Sequence, residues 1–159
     1  MERLYLLRHG IAVPTGTPGL ADAERPLTPV GRRRVRQVAR GLVRWGVEVE
    51  RIVTSPLLRA RQTAEIAAEL LAPAGGIEED AALVADQVAE SVADWLETRP
   101  ESGLMVVGHN PWISDLVGLL CAGRPLDSIM LRKAGVAALA GRSGGWDLDW
   151  LARPRLLRH

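Results

Sequence analysis

Leu4-Tyr5-Leu6-Leu7-Arg8-His9-Gly10 decides how the rest of the chain is read. Four consecutive apolar residues make one short buried strand, which stops at a cation, an imidazole and a residue free to take unusual backbone angles. In an open α/β sheet, ligands bind just beyond the carboxyl ends of the strands. Arg8 and His9 therefore stand where such sheets do chemistry.

Two further stretches repeat the pattern. Arg51-Ile52-Val53-Thr54 reads as a strand and runs into Ser55-Pro56, an N-cap and first-turn proline pair. In the helix that follows, Leu57, Ala60, Ala64, Ala67 and Leu71 share a face. Gly103-Leu104-Met105-Val106-Val107-Gly108 reads as a buried strand ending at His109-Asn110-Pro111, with Asn110 and Pro111 opening a helix through Ile113, Leu116, Val117 and Leu120. Arg59 and Arg61 fall in the first turns of their helix, where the macrodipole disfavours cations, and a bound anion is one reason to keep them there. If the three strands are parallel neighbours, Arg8, His9, Ser55, Arg59, His109 and Asn110 converge on one sheet edge. Two helix N-termini then add backbone N–H groups to the same crevice.

The connecting segments are less informative. The Pro- and Gly-rich residues 11–27 read as an ordered surface loop over the end of the first strand. Thr28-Pro29 opens a helix with Val35, Val38, Ala39 and Leu42 on one face and an end near Trp45-Gly46. Its six arginines, Arg32, Arg33, Arg34, Arg36, Arg40 and Arg44, read as a solvated face; a grip on nucleic acid would want interleaved aromatics, and there are none. Residues 77–85 read as a loop with an acidic cluster, Glu78, Glu79 and Asp80, after which Asp86 caps a helix with Val88, Val92, Trp95 and Leu96 inward. Val136-Ala137-Ala138-Leu139-Ala140 and Trp146-Asp147-Leu148-Asp149-Trp150 read as two strands joined by a Gly-rich turn, the second alternating strictly as an edge strand. The basic residues 152–159 read as loosely ordered, which sets His159 aside. This alternation predicts a single domain over residues 1–159, a three-layer α/β/α sandwich whose mostly parallel central sheet has an antiparallel strand near its C-terminal end.

Composition narrows the chemistry. With 47% hydrophobic residues, five Trp, one Tyr and no Phe in 159 residues, the core must be built from Leu, Val, Ile and Ala. Twenty basic residues nearly cancel nineteen acidic ones, so the net charge of +1 names no polyanionic partner. Cys121 is the only cysteine, which excludes an internal disulfide and fits a reducing compartment. Three histidines with that one thiol argue against a zinc site, and no carboxylate follows His9 or His109 at a ligand-like spacing. No apolar stretch approaches the roughly 20 residues of a membrane span, and the chain enters a strand without a leader. The expectation is a cytoplasmic protein with neither a membrane nor a nucleic-acid partner, as a monomer or weak dimer.

Four motifs in this order resemble a known family: Leu7-Arg8-His9-Gly10, Arg25-Pro26-Leu27-Thr28-Pro29-Val30-Gly31, Ser55-Pro56-Leu57-Leu58-Arg59-Ala60-Arg61-Gln62-Thr63, and Val107-Gly108-His109-Asn110-Pro111. They look like the successive motifs of the histidine phosphatase (phosphoglycerate mutase-like) superfamily, and the short chain is most similar to its SixA-type phosphohistidine phosphatases. The resemblance implies that His9 is the nucleophile, forming a phosphohistidine that water hydrolyses, and that Arg8, Arg59 and His109 hold the phosphate oxygens. It implies no metal and no cofactor. The chemistry agrees, since phosphoryl transfer depends on positioning and charge stabilisation around the equatorial oxygens. Guanidinium charges beside His9 should keep its imidazole neutral and nucleophilic. Asn110 has two readings, a phosphate donor or an N-cap, and Ser55 has the same two with capping first.

Family members acting on phosphate monoesters protonate the departing alkoxide with a carboxylic acid. The candidates here are Glu78, Glu79, Asp80 and Asp86, in a short region that departs from the Glu-containing pattern of those members. An imidazole leaving group, with a conjugate-acid pKa of about 6.5, needs little such help. The expected substrate is therefore phosphohistidine in a partner protein. The alternatives are a small phosphate ester hydrolysed by the same His9 chemistry, or phosphate binding without turnover.

Overall fold

The computed structural model describes residues 1–159, the side chain of Arg142 excepted. Its strands are β1 (Arg3–Arg8), β2 (Arg51–Thr54), β3 (Ile77–Glu79), β4 (Gly103–Gly108), β5 (Val136–Arg142) and β6 (Gly145–Ala152). They form one sheet in the order β3-β2-β4-β1-β5-β6. The pairs β1/β4, β2/β4 and β2/β3 are parallel, while β5 runs antiparallel to β1 and β6 antiparallel to β5.

Alternation along the strands divides the core into two layers. Tyr5, Leu7, Ile52, Met105 and Val107 face one side, where they meet Val35, Val38 and Leu42 of α1 (Pro29–Arg44) and Ala60, Ala64 and Ala67 of α2 (Leu58–Leu71). Leu4, Leu6, Val53, Leu104 and Val106 face the other, against Ala89, Val92 and Leu96 of α3 (Ala89–Leu96) and Ile113, Leu116 and Val117 of α4 (Trp112–Ala122). The small aliphatic inventory of the sequence is thus spent on close helix-to-sheet packing. No helix among the described residues is long and apolar enough to cross a membrane.

Several local expectations are corrected. Residues 77–79 are a strand rather than loop; Ile52, Val53 and Thr54 pair with Ile77, Glu78 and Glu79, making β3 a polar edge. Asp86 does not cap α3, whose N-cap residue is Val88, and Val88 faces solvent. The pairing of β5 and β6 shifts register at Ala138/Leu139, which breaks the strict alternation read for the edge strand. The C-terminal residues are ordered: α5 (Pro154–Leu157) docks on α1 with Leu157 fully buried. Gly41 permits this approach, because any Cβ there would collide with the Leu157 backbone, and Arg44 donates to the Leu157 and His159 carbonyls at 2.9 and 3.0 Å.

The arginines of α1 behave as a solvated face. Arg32, Arg33, Arg34 and Arg40 are exposed, and Arg36 pairs with Glu69 at 2.8 Å. Thr28 is the N-cap as expected, accepting from the Gly31 N–H at 2.9 Å.

Candidate active site

Three neighbouring parallel strands deliver the site. Arg8 is in register with Gly108, and Thr54 with Val107, so the next residues of β1, β4 and β2 emerge at one level. The ladder continues one step beyond the strands, with the His9 N–H donating to Gly108 and the Ser55 N–H donating to Val107, both at 3.1 Å. His9, His109 and Ser55 are consequently side by side at the carboxyl edge, each at least nine-tenths buried. The rings of His9 and His109 have centroids 5.1 Å apart and planes inclined by 54°.

Gly10 serves this geometry through close packing rather than unusual backbone angles. A Cβ there would lie 2.6 Å from the Val35 side chain, while the Gly10 N–H donates to Thr63 Oγ1 at 3.0 Å. Thr63 Oγ1 in turn donates to the Arg59 carbonyl at 2.7 Å, so one hydroxyl links the first strand end to the helix carrying Arg59.

The hydrogen bonds assign the His9 tautomer. His9 Nδ1 lies 2.7 Å from the Gly10 carbonyl, which can only accept, so Nδ1 carries the proton and Nε2 presents a lone pair. Burial, opposed by that hydrogen bond and reinforced by the charges of Arg59, Arg8 and Lys133, lowers the His9 pKa to about 4. Burial is thus the larger cause, ahead of the neighbouring cations. His109 Nε2 meets Ser55 Oγ at 2.8 Å, and the same oxygen accepts the Leu57 N–H at 3.3 Å. A hydroxyl that accepts one N–H keeps both a proton and a second lone pair; when Ser55 donates that proton to Nε2, Nδ1 of His109 is the ring's N–H donor. Burial first, then His9 and Arg59, lower the His109 pKa to about 3.

Both guanidiniums are largely withdrawn from water. Arg59 is 4% exposed; its Nη1 donates to the Asp22 carbonyl at 3.0 Å, and its Nη2 reaches the Asp22 carboxylate at 3.3 Å. Arg8 Nη1 donates to the Leu131 carbonyl at 3.1 Å. Among the described residues, four buried side-chain nitrogens lack a partner, and three are Arg8 Nε, Arg59 Nε and His109 Nδ1. Each such group costs about 1–3 kcal/mol, a cost that oxygens of a bound anion would remove.

Arg8, His9, Arg59, His109 and Asn110 line one cleft of about 500 Å³ with Ile11, Ala12, Pro14, Thr15, Arg25, Ala85 and Lys133. The structure thus brings together the four residues expected to handle a phosphoryl group. Two capping readings are overturned. Ser55 does not cap α2, whose N-cap residue is Leu57; its hydroxyl is shared between His109 and the Leu57 N–H. Asn110 does not cap α4 either: Nδ2 donates to the Leu131 carbonyl at 3.0 Å and to Met130 Sδ at 3.2 Å, and Oδ1 accepts from Ser114 at 2.5 Å. Its amide hydrogens are therefore already engaged beside the cleft.

None of the carboxylates named as acids lines the cleft. Glu78 forms a two-point pair with Arg99 at 3.0 Å, and Glu79 pairs with Arg61 at 3.4 Å. Asp80 accepts from Ala82 N–H and Trp95 Nε1 at 2.8 and 2.9 Å, and Asp86 is exposed and not among the lining residues, although its neighbour Ala85 is. The carboxylate that does approach, Asp22, was not singled out from sequence. Arg25, through its hydrogen bond, and Arg59 hold its pKa below the usual range. Its one sequence signal is a position three residues before Arg25 in the loop of the second motif. Lys133 was also missed, though it is the only lysine in the chain.

Known proteins give this geometry its context. The profile described as histidine phosphatase superfamily, branch 1, matches residues 4–74. An uncharacterized protein of Picosynechococcus sp. is 39% identical over 155 residues, spanning 89% of this chain and 85% of that one. The phosphohistidine phosphatase SixA of Escherichia coli K12 is 29% identical over 156 residues, 96% of this chain and 94% of that one. A solved structure of the protein histidine phosphatase SixA complexed with tungstate superposes with a TM-score of 0.85 at 28% identity, covering 98% of this chain and 99% of that chain. With relatives matching nearly end to end and a family profile running through the first two strands and α2, the chain belongs to the histidine phosphatase superfamily.

Proposed function

We propose that this phosphatase hydrolyses phosphohistidine in a partner protein, with His9 as nucleophile and Arg8, Arg59 and His109 holding the transferring phosphoryl group. One observation carries the choice of substrate: the described residues lining the cleft include two imidazoles and four cations, Arg8, Arg25, Arg59 and Lys133, but no carboxylic acid. Departure of an alkoxide without an acid is slow, whereas an imidazole leaves with little protonation help. Asp22, held ionised by two arginines, is poorly suited to give up a proton.

In the reaction, His9 Nε2 attacks phosphorus while the P–N bond to the substrate ring breaks; that ring, protonated on its other nitrogen, leaves as neutral imidazole and needs no further proton. Hydrolysis then cleaves the His9 phosphoramidate to inorganic phosphate and returns His9 to its neutral form. Arg8, Arg59 and the Nδ1–H of His109 neutralise the equatorial oxygens throughout, the electrostatic contribution on which such transfers mainly depend. The name of the Escherichia coli relative supports the same substrate.

Steady-state rates on a phosphohistidine peptide and on sugar and nucleoside monophosphates test the reading. The peptide should be preferred in kcat/KM by about a hundredfold or more. A preference of that size for the monoesters would replace it with small-molecule phosphomonoesterase activity.

A further inference from the structure

Beside the catalytic cleft lies a second groove of about 480 Å³, and the two share Arg8, Ile11 and Lys133. Its other charged walls come from three distant parts of the chain: Arg34 on α1, Arg132 before β5, and Arg153, Arg155 and Arg158 around α5. No Asp or Glu lines it. Among the described residues, none of these five arginines nor Lys133 enters an ion pair, although seven other arginines of the chain do. The fourth buried nitrogen without a partner is Arg158 Nε, in this groove.

Like charges gathered without counter-charges repel one another and are costly unless an anion joins them. Burial, and after it the charge of Arg132, hold the Arg8 guanidinium below its ordinary pKa. A single phosphate cannot match so many cations spread over three elements. A row of carboxylates can.

We propose that this groove is a docking subsite for an acidic segment of the phosphoprotein, Asp and Glu residues flanking the phosphohistidine. The proposal rests on the phosphohistidine reading and adds to it a specificity determinant outside the catalytic cleft. Contact with Lys133 and Arg8 makes the segment continuous with the phosphoryl group, so the acidic residues belong within a few positions of the modified histidine or on the same face of the partner. Charges of this kind act mainly through encounter and KM, and salt weakens them.

The test uses two phosphohistidine peptides of equal length, one with three flanking Glu and the other with three Gln, and the exposed-surface variant R34Q/R153Q/R155Q. At low salt the wild-type protein should favour the Glu peptide by about tenfold in kcat/KM, expressed in KM. In the variant the advantage should fall to about twofold or less, with hydrolysis of phosphoramidate ion unchanged. Equal rates on the two peptides, or an advantage that survives in the variant, would overturn the subsite. If neither peptide is turned over while p-nitrophenyl phosphate is, the phosphohistidine reading fails. The subsite is then read from inhibition of that ester by the unphosphorylated Glu peptide, which supports it if lost in the variant and overturns it if absent in the wild type. Stronger inhibition by a DNA duplex than by the Glu peptide would assign the groove to nucleic acid and overturn the proposal.

Discussion

His109 Nε2 and Ser55 Oγ lie 2.8 Å apart at the ends of adjacent strands, and a Ser55 hydroxyl donating to Nε2 leaves Nδ1 of His109 as the ring's N–H donor. Ser55→Ala removes that hydroxyl while leaving Arg8, His9, Arg59 and His109, the residues proposed to handle the phosphoryl group, in place. About a tenfold fall in kcat is expected, with about 1 kcal/mol lost in stability. Ser55→Thr should restore most of the rate. If Ser55 only supported folding, stability would fall and kcat in the folded fraction would not.

The lone pair on His9 Nε2 leads to a direct test of the covalent step. Acid-quenching the protein with labelled phosphohistidine peptide should leave label on His9, and His9→Ala should abolish both label and turnover, a loss of more than about a thousandfold. Label retained in His9→Ala would move the nucleophile elsewhere.

The depressed histidine pKa values make two pH predictions. His9 near 4 and His109 near 3 are both neutral in the free protein at pH 5, so the acid limb of kcat/KM should lie near pH 4 rather than at the ordinary imidazole value of about 6.5. Stability follows the same groups. Their folded-state pKa values are lowered, so the unfolded chain binds protons first as pH falls. The stabilisation is complete above about pH 6.5 and is lost progressively toward pH 4 and 3, on the order of a few kcal/mol in all. Urea denaturation at pH 7, 6, 5 and 4 measures the slope, and a flat profile would mean that the rings remain accessible to protons when folded.

The physical reason some of this was visible in sequence, and some was not, differs by residue. β1, β2 and β4 are buried on both faces and so read as continuous apolar runs, which also marks where Arg8, Ser55 and His109 emerge. β3 carries two glutamates held by ion pairs with Arg99, Arg51 and Arg61, and an edge strand of that kind has no apolar pattern to read. Ser55 and Asn110 have cap chemistry, but tertiary partners took their polar atoms, and no local rule indicates that competition. The net charge of +1 concealed the basic groove, because arginines from residues 34, 132 and 153–158 meet only after folding.

Leu157 is a case of such tertiary order. It is fully buried against α1 although it lies two residues from the C-terminus. Leu157→Ala should cost about 2–5 kcal/mol, measured by denaturant midpoint, and should release α5 with the arginines it carries. A change under 0.5 kcal/mol would show that the tail is not docked in solution.

Asp22 separates two accounts of Arg59 in the cleft. Its carboxylate, half exposed, reaches Arg59 at 3.3 Å, and its carbonyl takes the other terminal nitrogen, so Asp22 occupies donors that an incoming dianion would use. If that competition is its role, Asp22→Asn should lower KM for phosphorylated substrates by about two- to fivefold with kcat little changed, because a screened surface charge is worth only a fraction of a kcal/mol to about one. If Asp22 instead supplied the leaving-group proton, the same substitution would cut kcat by about a hundredfold or more, and most severely on alcohol esters. Measuring kcat and KM separately on a phosphohistidine peptide and on a monoester decides between them, and the second outcome would remove the argument that this cleft favours an imidazole leaving group.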